Sequence, residues 1–179
     1  MSLQTIKKFE NLENSKIVTP VKLNTGEVEL LTERIKDEYT AHYYYTAAAN
    51  WCQNKNYKKA ASFFNEEAKS ELEHAKKLQD FITGWNVMPQ VPQTETKHNF
   101  TSLVDIINGA YKMEYGLLQE YNKISTTFLS SNLTIFDFLC YFRQVQTDST
   151  IEYSDLLNAL TLINPNNNFE LLYFEQTYL

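Results

Sequence analysis

Glycine and proline are scarce, four of each in 179 residues. These two residues are the main breakers of regular backbone, so their scarcity excludes a loop-rich fold and predicts long uninterrupted elements. Cysteine is scarcer still. Cys52 and Cys140 have neither the spacing of a metal motif nor the numbers of a disulfide framework, and read as small interior residues in a reducing compartment. Positive charge is short as well: 16 Lys and Arg face 22 Asp and Glu, a net charge of -6 that argues against a nucleic-acid partner. No apolar run approaches the roughly 18 residues of a membrane span, and "MSLQTIKKFENLENSK" holds no apolar segment of signal-peptide length. The expectation is a cytoplasmic chain without a membrane partner, in which the Asn-X-Thr triplets at Asn99 and Asn132 are incidental.

What is present suits one domain with a proper core: 43% of residues are hydrophobic and 14% aromatic. Capping signals occur at Asn24 with Glu27, Ser102 with Asp105, and Thr134 with Asp137. They predict helices near 27–54, 58–84, 101–130 and 134–162, and the tail "FELLYFEQTYL" is long enough for a short fifth. The first and third connections are only a few residues, which makes two antiparallel hairpins, whereas "WNVMPQVPQTETKHN" is long enough to run the length of a bundle. The predicted fold is all-α: a four-helix bundle with one long crossover plus a short C-terminal fifth helix, spanning 26–179. Residues 1–25 have no clear pattern and are expected to form a partly mobile N-terminal arm.

The helical stripes carry the chemistry. Stepping by fours and threes gives Leu31, Ile35, Glu38, His42, Tyr45, Ala49 and Cys52 in the first helix, and Ala60, Phe64, Glu67, Glu71, His74, Leu78 and Phe81 in the second. The third gives Leu103, Ile107, Ala110, Glu114, Leu117, Tyr121, Ile124 and Phe128; the fourth gives Ile135, Leu139, Phe142, Gln146, Ser149, Tyr153, Leu156 and Leu160. Each stripe is apolar at its ends and polar in the middle. At 1.5 Å per residue, Glu38 and Glu71 both fall roughly 20 to 24 Å from the first turn, and Glu114 and Gln146 roughly 18 to 24 Å from theirs. All four helices therefore aim oxygen or nitrogen atoms at one mid-height layer, and the similar separations of the two pairs make the hairpins look like a diverged repeat.

Burying one unpaired carboxylate costs several kcal/mol, and three in one layer repel one another unless protonated or neutralised by a cation. Three Glu and one His suit iron or manganese better than calcium, and two ions better than one. Glu71 and His74, three residues apart, share one side of a helical turn as a Glu-x-x-His clamp requires. His42 reads as a hydrogen-bonded core residue rather than a ligand. Glu67 fits an outer metal contact or a solvated carboxylate equally. Tyr45 is a core aromatic whose hydroxyl needs a partner, for which a glutamate of the layer is suitable.

Taken together, "ERIKDEYTAHYYYTAAANWC", "AASFFNEEAKSELEHAKKLQDFITGWNVMP", "YKMEYGLL", "FDFLCYFRQVQ" and the terminal "LLYF" resemble bacterial non-haem ferritins, over about residues 27–179. The resemblance implies a ferroxidase that oxidises Fe(II) to Fe(III) at a di-iron centre within each subunit, with dioxygen or peroxide as oxidant. Glu38 and His74 would hold one iron, Glu71 would bridge, and Glu114 would hold the second. Gln146 would support that second iron or its bound oxygen species, and Tyr45 would be the tyrosine beside the centre. It also implies a homo-oligomeric 24-subunit cage that stores the oxidised iron as mineral. Where symmetric di-iron proteins such as bacterioferritin carry a second Glu-x-x-His, this chain has Gln146-Thr147-Asp148-Ser149, and Leu72 stands where a haem-ligating Met would be, so no haem is expected. At the third iron site of many bacterial ferritins it has Ser70, Val145, Asp148 and Ser149; only Asp148 is acidic, so a third site is expected to be weak or absent. Two other readings compete: a non-storage di-iron oxidase acting on a small organic substrate, and a metal-poor structural bundle.

Overall fold

The computed structural model describes residues 18–94 and 98–179. Its helices are α1 (Thr25–Asn54), α2 (Lys58–Gly84), α3 (Leu103–Phe128), α4 (Leu133–Leu160) and α5 (Asn168–Tyr178), with no strand among the described residues. Residues 1–17 of the expected arm lie outside the described residues. Of its remainder, Leu23 is buried and the carbonyl of Val21 accepts a hydrogen bond from Asn86 at the end of α2.

The helix ends follow from local chemistry. Asn24 and Glu27 form a reciprocal capping box at the start of α1. Ser102 caps α3 through the Asp105 backbone N–H, while Asp105 accepts from the Thr101 N–H and hydroxyl rather than closing a box. The fourth helix corrects the sequence reading: its cap is Asn132, not Thr134, and Asn132 accepts from the Ile135 N–H while donating to Glu27. It thus stitches the α3–α4 turn to the start of α1. Both α1 and α2 end in an asparagine with left-handed backbone, Asn56 at φ 65° and Asn86 at φ 59°. In each, the paired bonds of a Schellman motif close the last turn, Asn56 N–H to Gln53 O and Tyr57 N–H to Cys52 O in the first.

Helices α1 and α2 form one hairpin, α3 and α4 the other, and α5 packs across α2 and α4. The interior has two separate apolar clusters. One gathers Leu31, Ile35, Leu78, Tyr121, Leu139 and Phe142; the other gathers Ala41, Tyr45, Phe64, Ile107, Tyr153 and Phe174. Between them, along all four helices of the bundle, lie Glu38, Glu71, His74, Glu114 and Gln146, every one of them buried. The predicted polar middle is therefore a physical layer separating two hydrophobic cores. Cys52 is buried and Cys140 half-buried, and both are free thiols.

Candidate metal centre

Glu38 from α1 and Glu71 and His74 from α2 each offer a ligand atom within 4.8 Å of the others. The His74 Nδ1 is the hub: it lies 3.0 Å from Glu71 Oε2 and 3.5 Å from Glu38 Oε2. The second distance is a close approach without a hydrogen bond, and Glu38 Oε2 has no hydrogen-bond partner. Glu114 on α3 is not one of this tight trio. Its Oε1 accepts the Tyr45 hydroxyl, and its Oε2 is buried without a partner. Gln146 on α4 is completely buried, with neither amide oxygen nor amide nitrogen hydrogen-bonded.

The electrostatics of the layer are those of crowded carboxyls. Burial first, then the Glu38 and Glu114 carboxylates, push the Glu71 carboxyl well above the usual range. Burial pushes Glu114 up to about 8 against the opposing pull of the Tyr45 hydroxyl, with Glu38 adding to the rise. Tyr45 and Tyr121 are pushed well above the ordinary phenol value, by burial and then by Glu114 and Glu38 respectively, so both remain hydrogen-bond donors. Each orphaned atom in this layer costs about 1–3 kcal/mol, more where it is charged. Bound divalent cations would take up the bare oxygens of Glu38, Glu114 and Gln146, though not the Gln146 amide nitrogen, and hard carboxylate oxygens with one imidazole are a donor set that iron and manganese accept. The residues present therefore fit a metal ion.

The neighbouring expectations sort out as follows. His42 is half-buried, its Nδ1 2.7 Å from the Ala68 carbonyl, which makes it a tie between α1 and α2. Glu67 is half-buried, accepts the Tyr153 hydroxyl at 3.3 Å, and is raised to about 7 by burial and then by Glu152. Ser70, Val145 and Ser149 are half-buried, and Asp148 is exposed and held by the Gln144 amide at 2.9 Å, away from the trio. Leu72 is exposed on the outer face of α2.

One contact was not anticipated from the stripes. The hydroxyl of Tyr121, toward the apolar end of the third stripe, donates to Glu38 Oε1. A signal for it existed: Tyr121 follows Glu114 by seven residues, just as Tyr45 follows Glu38. A groove of about 1100 Å³ lies elsewhere, at the bundle end between Leu23, Glu33, Met88 and Phe128, and contains none of the layer residues.

The comparisons agree with this geometry. The ferritin-like domain model matches residues 28–163. A bacterial non-heme ferritin of Campylobacter jejuni is 25% identical over 154 residues, 85% of this chain and 91% of that protein. One from Staphylococcus aureus is 24% identical over 153 residues, 84% of this chain and 92% of its own length. Among solved structures, a ferritin of Chlorobium tepidum superposes with a TM-score of 0.77 at 21% identity, covering 86% of this chain and 94% of that one. An open-pore ferritin of Archaeoglobus fulgidus gives 0.77 at 18%, covering 88% and 98%. With a matching domain model over three-quarters of its length and the same five-helix fold, the chain belongs to the ferritin-like family.

Proposed function

We propose that this protein is an iron-storing ferroxidase whose substrate is Fe(II). The observation that carries the reading is the buried trio of Glu38, Glu71 and His74, within 4.8 Å of one another, beside the unpartnered oxygen of Glu114 and the unpartnered amide of Gln146. Glu38 and His74 would hold one Fe(II), Glu71 would bridge, and Glu114 would hold the second, with Gln146 beside it. Two Fe(II) lose one electron each and become Fe(III), and dioxygen takes up the two electrons with two protons to leave as hydrogen peroxide. Peroxide, if it is the oxidant, takes up the same two electrons with two protons and leaves as two waters.

The protein's share is to gather carboxyl ligands in one buried layer before the metal arrives. Glu114, raised to about 8, and Glu71, raised in the same direction by burial and its neighbours, exchange carboxyl protons for iron, so binding releases protons and relieves the crowding of the layer. Tyr45, with its hydroxyl on Glu114, fixes that carboxylate. Storage needs an enclosed volume, and the shell proposed for it is the 24-subunit assembly that the family resemblance implies. In support, α5 exposes apolar side chains for a partner copy, including Phe169 at 76% and Tyr173 at 59%. Two relatives of nearly the same length are named bacterial non-heme ferritin.

The test is aerobic Fe(II) oxidation followed by Fe(III) absorbance. The wild-type chain should exceed the protein-free rate, and Glu71→Ala and His74→Ala should each lower it by at least about tenfold. Unchanged rates in both variants would rule the assignment out.

A further inference from the structure

Each of two tyrosines is donated to the other helix's glutamate. Tyr45, seven residues after Glu38 on α1, donates to Glu114 on α3; Tyr121, seven residues after Glu114 on α3, donates to Glu38 on α1. Seven residues span about 10.5 Å of helix. In antiparallel helices that step brings each tyrosine level with the opposite glutamate, so the exchange is reciprocal. The two rings also belong to different cores. Tyr121 sits in the cluster of Ile35, Leu78 and Phe142, stacked on Phe142 at 5.1 Å and 9°, and Phe142 meets His74 edge-on at 6.0 Å. Tyr45 sits in the other cluster, between Phe64 and Tyr153, stacked on each at 6.1 and 6.0 Å.

The consequence for the carboxylates is the same at both ends. Each glutamate has one oxygen taken by a phenol and the other buried without a hydrogen bond: Glu38 Oε2 and Glu114 Oε2. A carboxylate with two bare oxygens turns freely or chelates through both. With Oε1 held by a donor, only Oε2 is offered, in a fixed direction. For Glu38 that direction is toward His74 Nδ1, 3.5 Å away.

We propose that Tyr121 is a positioning residue of the metal centre, holding Glu38 by one oxygen so that it presents the other beside His74. The inference rests on reading Glu38 and His74 as metal ligands. A tyrosine needed for packing alone has no use for its hydroxyl, since the stack on Phe142 is made by the ring. Nor does burial of the hydroxyl explain why the acceptor is a carboxylate whose remaining oxygen is left bare.

The probe is Co(II), whose visible absorption reports coordination geometry and which is bound without being oxidised under ordinary air exposure. Metal-free full-length protein is titrated with Co(II), following the spectrum and the affinity. Tyr121→Phe, which keeps the ring, should weaken Co(II) binding about 10- to 100-fold and change the absorption envelope. Incorporating 4-aminophenylalanine at position 121, which restores a donor, should return both toward wild type. In a Glu38→Ala background the Tyr121→Phe change should have no further effect, because its action runs through Glu38. Should Tyr121→Phe lose helical circular dichroism, 4-fluorophenylalanine fills the hydroxyl's space without donating and gives the same reading. Wild-type affinity and spectrum in a folded variant without the donor would overturn the proposal while leaving the metal assignment intact. Undiminished Co(II) binding in both Glu38→Ala and His74→Ala would instead remove the metal assignment, and the proposal with it.

Discussion

Glu114 shows what the layer costs when no cation shares it. Its carboxyl is raised from 4.5 to about 8, chiefly by burial. In the unfolded chain the same group gives up its proton near 4.5, whereas in the fold it keeps the proton until about pH 8. The stability this contributes is complete below the unfolded value and is lost as pH rises through the folded one. Glu71, displaced in the same direction for the same reasons, adds to the trend. The metal-free protein should therefore melt at progressively lower temperature from pH 5.5 to 8.5, with a slope on the order of 1 kcal/mol per pH unit for each carboxyl. Glu114→Gln, which keeps the shape and removes the titration, should flatten the slope, and a bound divalent ion should do so more completely because it takes the protons' place. Melting curves over that pH range, with and without Co(II), check both expectations. A metal-free midpoint that climbs with pH would show that the carboxyls of the layer are not held protonated.

Helix α2 begins without a capping side chain of its own, because Tyr57 occupies the cap position and makes no such bond. The cap comes from the far end of the chain: Glu175 on α5, fully buried, accepts the backbone N–H groups of Lys59 and Ala60, and Lys59 Nζ donates to the Gln176 carbonyl at 2.8 Å. A carboxylate at a helix N-terminus is favoured by both the orphan donors and the macrodipole. Glu175→Ala should cost about 1–3 kcal/mol, a fall in melting temperature of roughly 2–4 °C per kcal/mol in a domain of this size. Amide exchange should speed up first in α5 and at Lys59 and Ala60; exchange unchanged there would deny Glu175 this role. The contact also marks the limit of sequence reading at this scale. The number, order and approximate ends of the helices were legible because Gly, Pro and Asn are local signals, and the polar layer was legible because buried carboxylates break a hydrophobic stripe so expensively. Partners across helices were not. Asn132 outcompeted Thr134 as a cap partly because Glu27, more than a hundred residues away, takes its amide. Tyr121 and Tyr45 had legible faces and heights, but a heptad step does not say which helix packs opposite; that depends on how the hairpins meet.

For the molecule as a whole, the central question is whether oxidation and storage are one property or two. The layer lies within a single chain, built from α1 through α4, so Fe(II) oxidation should need no second copy. Deposition of mineral should need many, since the interior between the two cores has room for ligands and not for a particle. The exposed apolar face of α5, with Phe169, Leu172, Tyr173 and Tyr178, is the element placed to separate the two. Wild-type protein should run as a large closed assembly in analytical ultracentrifugation, and sediment faster after aerobic iron loading without gaining protein mass. Phe169→Glu with Tyr173→Glu should lower the assembly toward small species while circular dichroism stays helical. In that variant the initial rate of Fe(II) oxidation per chain should remain within about twofold of wild type, whereas the oxidised iron should leave solution as precipitate rather than stay with protein. If the wild-type chain were monomeric or dimeric and still oxidised Fe(II), storage would fall and the non-storage oxidase would take its place. If the variant lost oxidation along with assembly, the centre would not be complete within one chain, and the intra-subunit layer described above would be only part of it.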